Sequence, residues 1–170
     1  MRPCACAPVP LYSELHCHSG FSLLDGASNP EDLLARAAAL GMPAVALTDH
    51  DDLGGAVRWA EAGAEHGVAA IIGVELTIGP RLDAPCPGAP VPRYACAPVP
   101  LCPSHLTLLA MTDAGYRNLS RLVTLARSGD RGAPAVAWDD VARHAEGLFC
   151  LTGCSHGEVP QLLAPVFDQA

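Results

Sequence analysis

Apolar and polar positions alternate over Leu11-Tyr-Ser-Glu-Leu-His16, the period-two signature of a strand. Asn29-Pro30-Glu31-Asp32 then supplies an N-cap, a proline at the first helical position and acids in the first turn, ahead of the apolar run from Leu33 to Leu40 and a stop at Gly41. This predicts the best-marked helix of the chain. A short buried strand follows at Ala44–Thr48, a second helix from Leu53 to about His66 closed by Gly67, and a strand at Ala69–Gly73. After Pro103 the pattern resumes with a strand at Leu106–Met111, a helix from Gly115 to about Arg127, a short helix near Trp138–Ala145 and a strand at Leu148–Thr152. Strands alternating with helices point to a parallel α/β sheet or barrel, whose chemistry gathers at the C-terminal strand ends.

Between Pro80 and Pro103 the pattern breaks: eight prolines and three cysteines mark a long loop or insertion. The segment Ala5-Cys-Ala-Pro-Val-Pro-Leu11 recurs letter for letter as Ala95-Cys-Ala-Pro-Val-Pro-Leu101. A single seven-residue match makes no structural repeat, and no physical account of it follows from the sequence.

Composition narrows the class. At 170 residues, half of them apolar, the chain has length for one domain and its core. No apolar stretch approaches the roughly 20 residues that cross a bilayer, and Met1–Pro10 lacks the form of a secretory signal, so a cytoplasmic protein with no membrane partner is expected. The eight cysteines, at 4, 6, 17, 86, 96, 102, 150 and 154, include no C-x-x-C pair and read as thiols. A net charge of −8 with only ten Lys and Arg argues against a free-standing nucleic-acid binder; if DNA is the substrate, other chains or domains must hold it.

Residues able to bind metal recur at strand ends: His16 and His18, Asp49 and His50, Glu75, His105, and Cys154. In an extended segment His16 and His18 project to the same side, as two imidazoles offered to one ion must. The carboxylate of Asp49 either orients the neighbouring imidazole or makes an N-cap or loop contact. His66 and His144 fall near helix ends, where solvation or complementation of the helix terminus suffices. His156, close to Cys154, could approach the metals but matches no ligand pattern. Cys17 should point opposite to the two histidines, and Asp32, Glu61, Glu65, Asp139 and Asp140 read as solvated faces or caps.

Glu14-Leu-His-Cys-His-Ser-Gly-Phe-Ser-Leu-Leu-Asp-Gly-Ala27, Ala46-Leu-Thr-Asp-His50, Ile72-Gly-Val-Glu75, His105-Leu-Thr-Leu-Leu-Ala110, Gly115-Tyr-Arg-Asn-Leu119 and Leu151-Thr-Gly-Cys154 together resemble, in order and spacing, the PHP domain at the start of bacterial DNA polymerase III alpha subunits. The resemblance covers about residues 11–165, and its wording is most similar to the error-prone, translesion branch. It implies a distorted (β/α)7 TIM-like barrel over residues 11–170, preceded by an extension at 1–10, interrupted by the loop at 80–103 and incomplete at its C-terminus. It also implies up to three divalent ions (zinc, manganese or iron) held by His16, His18, Asp25, His50, Glu75, His105 and Cys154, with Glu75 bridging. Glu75 and Asp49 are the implied catalytic carboxylates. The family's final Asp-x-His or Asn-x-His pair does not occur in 155–170.

The implied function is a metal-dependent phosphoesterase module of a DNA polymerase, serving replication or translesion repair by 3′-to-5′ removal of nucleotides. Its partners would be the remaining polymerase domains and, through them, DNA. Two alternatives stand beside it: a non-catalytic PHP domain supporting the polymerase, and a free-standing phosphatase resembling histidinol-phosphate hydrolases. These 170 residues contain no polymerase active site.

Overall fold

The computed structural model describes residues 12–79, 104–129, 133–154, 157 and 159. The expected extension at 1–10 and the proline-rich segment at 80–103 lie outside them, as does His156. The elements run β1 (Glu14–Cys17), α1 (Pro30–Ala39), β2 (Ala44–Leu47), α2 (Ala56–His66), β3 (Ala69–Ile78), β4 (Ser104–Ala110), α3 (Asp113–Arg127), α4 (Trp138–Arg143) and β5 (Leu148–Leu151).

Helix α1 begins where the sequence says, with Pro30 in its first turn and Asn29 extended before it. The asparagine side chain donates to Asp32 Oδ2 (3.1 Å) instead of capping the backbone. Leu34 and Ala37, three apart, face the core. Helix α2 starts at Ala56 rather than Leu53, because Gly54 and Gly55 have the weakest helix propensity short of proline. It ends at Gly67, whose φ of 68° is the left-handed cap conformation that glycine adopts without strain. Helix α3 starts two residues before Gly115, since Thr112 caps it by accepting from the Gly115 N–H (3.2 Å).

The strands form one mixed sheet in the order β1-β2-β3-β4-β5. The first three are parallel, while β3 with β4 and β4 with β5 are antiparallel. The expectation of a parallel arrangement therefore holds only for the first half. A parallel neighbour needs a crossover, usually helical, and an antiparallel one does not; residues 80–103 carry no helical periodicity. Strand β3 also runs on past Gly73, so Glu75 and His105 sit within strands, not beyond their ends. The alternation Val74-Glu75-Leu76-Thr77-Ile78 is the reason: the strand keeps one apolar face while presenting polar residues on the other.

Two apolar clusters cover the outside of the sheet. Leu34 and Ala37 of α1 pack with Trp59 and Ala62 of α2 against Val45 and Leu47, and Cys17 lies against this cluster, opposite His16 and His18 as expected. Leu119, Leu122 and Ala126 of α3 pack against Val74, Leu76, Ile78, Leu106 and Leu108. Glu75, Thr77, His105 and Thr107 are left on the opposite face of β3 and β4, in register as Glu75 with Thr107 and Thr77 with His105. Among the described residues no helix is long and apolar enough to cross a membrane.

Candidate metal centre

The inner face converges on one carboxylate. Glu75, 1% exposed, has Oε2 at 2.5 Å from His16 Nε2 and 2.9 Å from His18 Nε2, and Oε1 at 2.8 Å from His105 Nδ1. The Cys154 thiol donates to Oε1 at 3.2 Å and lies 3.8 Å from His105 Nδ1. His50 Nδ1 stands 4.0 Å from Oε2, and its Nε2 is 3.2 Å from Asp25 Oδ2. The imidazoles are packed closely, His16 and His18 tilted with ring centroids 5.1 Å apart, and His18 with His50 (4.4 Å) and His50 with His105 (4.9 Å) T-shaped. All seven residues that the family resemblance implies as ligands thus meet in one place.

The backbone explains the convergence. His16 and His18 follow one another along the same side of β1 and its extension. His50 continues the β2 ladder by an isolated parallel bridge to Glu75: the Asp51 N–H donates to Glu75 O (2.9 Å) and the Glu75 N–H to Asp49 O (3.1 Å). Asp25 comes from the loop between β1 and α1, and that loop is clipped in place by Asp49. The Asp49 oxygens accept from the Ser19 N–H (2.6 Å), the Ser19 hydroxyl (2.8 Å) and the Ser22 hydroxyl (2.9 Å), while Ser22 Oγ accepts from the His50 N–H (2.9 Å). At Gly26 the loop passes so close to Ser19 that a Cβ would lie 1.9 Å from the Ser19 carbonyl oxygen.

Asp49 was expected as a catalytic carboxylate, either orienting His50 or making a loop contact. Its contacts are those of the loop, and it reaches His50 only through Ser22 and the backbone. Ser19, Ser22, Asp51 and Thr77 were not anticipated. Asp51, 4% exposed, accepts from the Thr77 N–H (2.9 Å) and hydroxyl (2.7 Å). The one sequence cue to these residues is that acids flank His50 on both sides. His66 and His144 lie at helix ends, as expected.

Burial pushes the Glu75 carboxyl up, but contacts from His105, His16, His18 and Cys154 outweigh it and hold the group far below the ordinary carboxylate range. The same carboxylate raises His16 and His105, against the effect of their burial. His50 is lowered, chiefly by burial.

Whether this set suits divalent ions can be judged from its own contacts. His18 Nε2 lies 3.1 Å from His16 Nε2, a nitrogen-to-nitrogen approach that is tolerable only with a proton or a cation between the lone pairs. Among the described residues three groups have ligand atoms within 4.8 Å of one another: His16, His18 and Glu75; His18, Asp25 and His50; and His50, Glu75 and His105. Imidazole and carboxylate donors in such triads match the preferences of zinc, manganese and iron, and Glu75 belongs to two of the triads. The residues present fit a cluster of divalent ions.

Comparison with known proteins adds independent findings. The sequence profile of the PHP domain matches residues 14–170. Over 168 residues the chain is 46% identical to an error-prone DNA polymerase of Cutibacterium acnes, covering 96% of this chain and 14% of that protein. It is 39% identical over 153 residues to the DNA polymerase III subunit alpha of Treponema pallidum, covering 89% of this chain and 12% of that one. The chain therefore spans about a seventh of the length of these relatives. Among solved structures it resembles a protein of Bifidobacterium adolescentis described as a metal-dependent phosphoesterase, with a TM-score of 0.50, 22% identity, and coverage of 95% of this chain and 52% of that one. At that identity the likeness concerns the fold alone.

Proposed function

The chain belongs to the PHP domain family, and on that footing we propose that its clustered imidazoles and carboxylates form a multi-ion divalent-metal centre that hydrolyses phosphate esters. The observation that carries the reading is Glu75: a carboxylate 1% exposed, contacted by His16, His18, His105 and Cys154, which come from three separate stretches of the chain. The ligands would be His16, His18, Asp25, His50, Glu75, His105 and Cys154, with Glu75 shared between ions. Divalent ions held there would lower the pKa of a bound water and draw charge from phosphoryl oxygens.

The chain's own residues set the conditions for that chemistry. Glu75, as the buried anion common to two triads, holds imidazoles from β1 and β4 at one point. Asp25, on the exposed side, borders the mouth of the site, where a substrate would enter. Asp49 and the two serines keep the Asp25 loop against His50.

The substrate in this reading is the 3′ end of a DNA strand, and the chain serves as the hydrolytic module of an error-prone or replicative polymerase in the cytoplasm. The names of the relatives support this, as does their much greater length, which leaves room for domains that hold DNA. The net charge of −8 agrees, since the chain by itself offers DNA few cations.

Elemental analysis of unchelated protein tests the proposal. Bound zinc, manganese or iron is expected in the parent, and most of it should be lost from the His16→Ala, His18→Ala double variant. Release of nucleotides from a 3′-labelled single strand should fall with it. Equal metal in the two proteins would refute the ligand assignment, and metal retained without any phosphoester hydrolysis would refute the enzymatic role.

A further inference from the structure

Among the described residues three carboxylates are buried almost completely: Asp49, Asp51 and Glu75, at 2, 4 and 1% exposure. Taking such charges out of water is expensive unless cations or many hydrogen bonds accompany them. Among the described residues no lysine or arginine pairs with any of the three carboxylates. Among the described residues Glu75 has its imidazoles, Asp49 accepts from two serine hydroxyls and an amide, and Asp51 accepts from the amide and hydroxyl of Thr77. Arg127 reaches the Asp51 loop, but its Nε donates to the main-chain oxygen of Asp51 (2.7 Å) and its Nη2 to the Asp52 carboxylate (2.8 Å).

Nothing local explains why position 51 carries a charge. Its φ of 47° lies in the left-handed region, which asparagine occupies at least as readily as aspartate. An asparagine could also accept from the Thr77 N–H through Oδ1 and donate to the Thr77 hydroxyl through Nδ2. The neighbourhood supplies the missing reason. Asp51 follows His50, its N–H holds the Glu75 carbonyl, and Thr77 stands directly across the β3–β4 ladder from His105. Its carboxylate therefore lies behind the triad of His50, Glu75 and His105. That triad has one formal negative charge of its own, on a carboxylate it shares with a second triad, to set against a divalent ion; the Cys154 thiol beside it adds charge only on giving up its proton.

We infer that Asp51 is a positioning and charge-balancing residue of the metal centre: without touching an ion, it supplies a further negative charge behind the His50, Glu75 and His105 triad and, through Thr77, fixes β3 beside His105. The inference rests on the metal-centre reading above. Its consequence is a division of effects that a residue important only for folding does not produce. The Asp51 charge burdens the metal-free protein and benefits the metal-loaded one, while its hydrogen bonds serve both.

The test uses the 170-residue protein and three variants, Asp51→Asn, Asp51→Ala and, as a control, Asp139→Asn at an exposed position on α4. Zinc affinity is measured by competition with a chelator, and the melting temperature is measured after chelation. For Asp51→Asn the account predicts zinc binding weakened about tenfold or more, with a chelated melting temperature equal to or above that of the parent. Asp51→Ala should lower both quantities, because the Thr77 amide and hydroxyl lose their acceptor, and Asp139→Asn should change neither. Parent-like zinc affinity in Asp51→Asn would overturn the charge role, as would an affinity that falls only in step with a lower chelated melting temperature. A parent that takes up no zinc, manganese or iron would overturn the metal-centre reading itself, and this inference with it.

Discussion

The two faces of strands β3 and β4 are built from the same alternating residues and do opposite work. Val74, Leu76, Ile78, Leu106 and Leu108 press outward on α3 and form the larger apolar cluster. Glu75, Thr77, His105 and Thr107 face inward; Glu75 and Thr107 are buried, Thr77 and His105 partly so, and the polar groups of Glu75, Thr77 and His105 are met by one another, by β1 and by the His50 loop. The outer face holds the sheet together whatever is bound. The inner face is a concentration of polar groups that helps the fold little, and that is rational chiefly as a place for cations. Stability and metal affinity should therefore respond to different substitutions in the same two strands.

The largest separable effect is expected on the outer face. Leu122, fully buried against β3 and β4, should cost about 2–5 kcal/mol when changed to alanine, by the loss of burial and the cavity left behind. Denaturant unfolding measures this, and zinc affinity of the molecules that remain folded should be unchanged. Loss of both together would mean that the two faces are not independent.

On the inner face Glu75→Gln should abolish the rise in melting temperature that zinc gives the parent, because the carboxylate shared by two triads becomes neutral. Its effect without metal should be smaller than that of Leu122→Ala. A zinc-dependent rise of parental size in Glu75→Gln would detach Glu75 from the metals.

Acidity should sharpen the contrast. In chelated protein, His16 and His105 are raised above their ordinary 6.5, so their contribution to stability is whole below pH 6.5 and is lost as pH climbs through their folded values. The depressed Glu75 contributes above its ordinary 4.5 and loses that contribution as pH falls toward its folded value. His50, lowered by burial, works against the other two imidazoles, contributing above 6.5 and losing its contribution as pH falls through its folded value. With two imidazoles raised and one lowered, chelated protein should be most stable between about pH 4.5 and about pH 6.5. Zinc displaces those protons, so its stabilising effect should grow from about pH 6 to about pH 8. Melting curves with and without zinc across that range measure it, and a pH-independent zinc effect would contradict the arrangement.

The smallest effect tests the same division from within. Thr107, fully buried beside Glu75, has a hydroxyl that finds no hydrogen-bond partner among the described residues. Thr107→Val should leave stability unchanged or raise it by about 1 kcal/mol, measured by denaturant unfolding, since only an unmet polar group is removed. A loss of more than about that size would show that the hydroxyl has a partner in solution.

Much of this was legible in the sequence, and for identifiable reasons. Helix α1 announced itself through Asn29 and Pro30, α2 through Gly67, and the residues proposed as ligands through short motifs whose chemistry requires particular side chains. The direction of β4 and β5 was not legible, because alternation specifies a face and says nothing of whether the neighbouring strand runs parallel or antiparallel. Glu75 was expected at the site but placed after its strand, since a charge inside an apolar run reads as a terminus until its neighbours at 74, 76 and 78 are seen to share the other face. Asp49 and Asp51 could not be told apart from sequence at all. Both flank His50, yet one clips the β1–α1 loop and the other ties β3, a difference made by which partners the fold brings within reach.

Anomalous scattering at the zinc edge, recorded from crystals of the zinc-loaded protein, bears most directly on the claim that residues far apart in the chain converge to hold metal. The account predicts peaks within about 2.0–2.2 Å of imidazole nitrogens of His16, His18, His50 and His105 and of Glu75 oxygens. Zinc bound elsewhere, with these side chains facing apart, would contradict it.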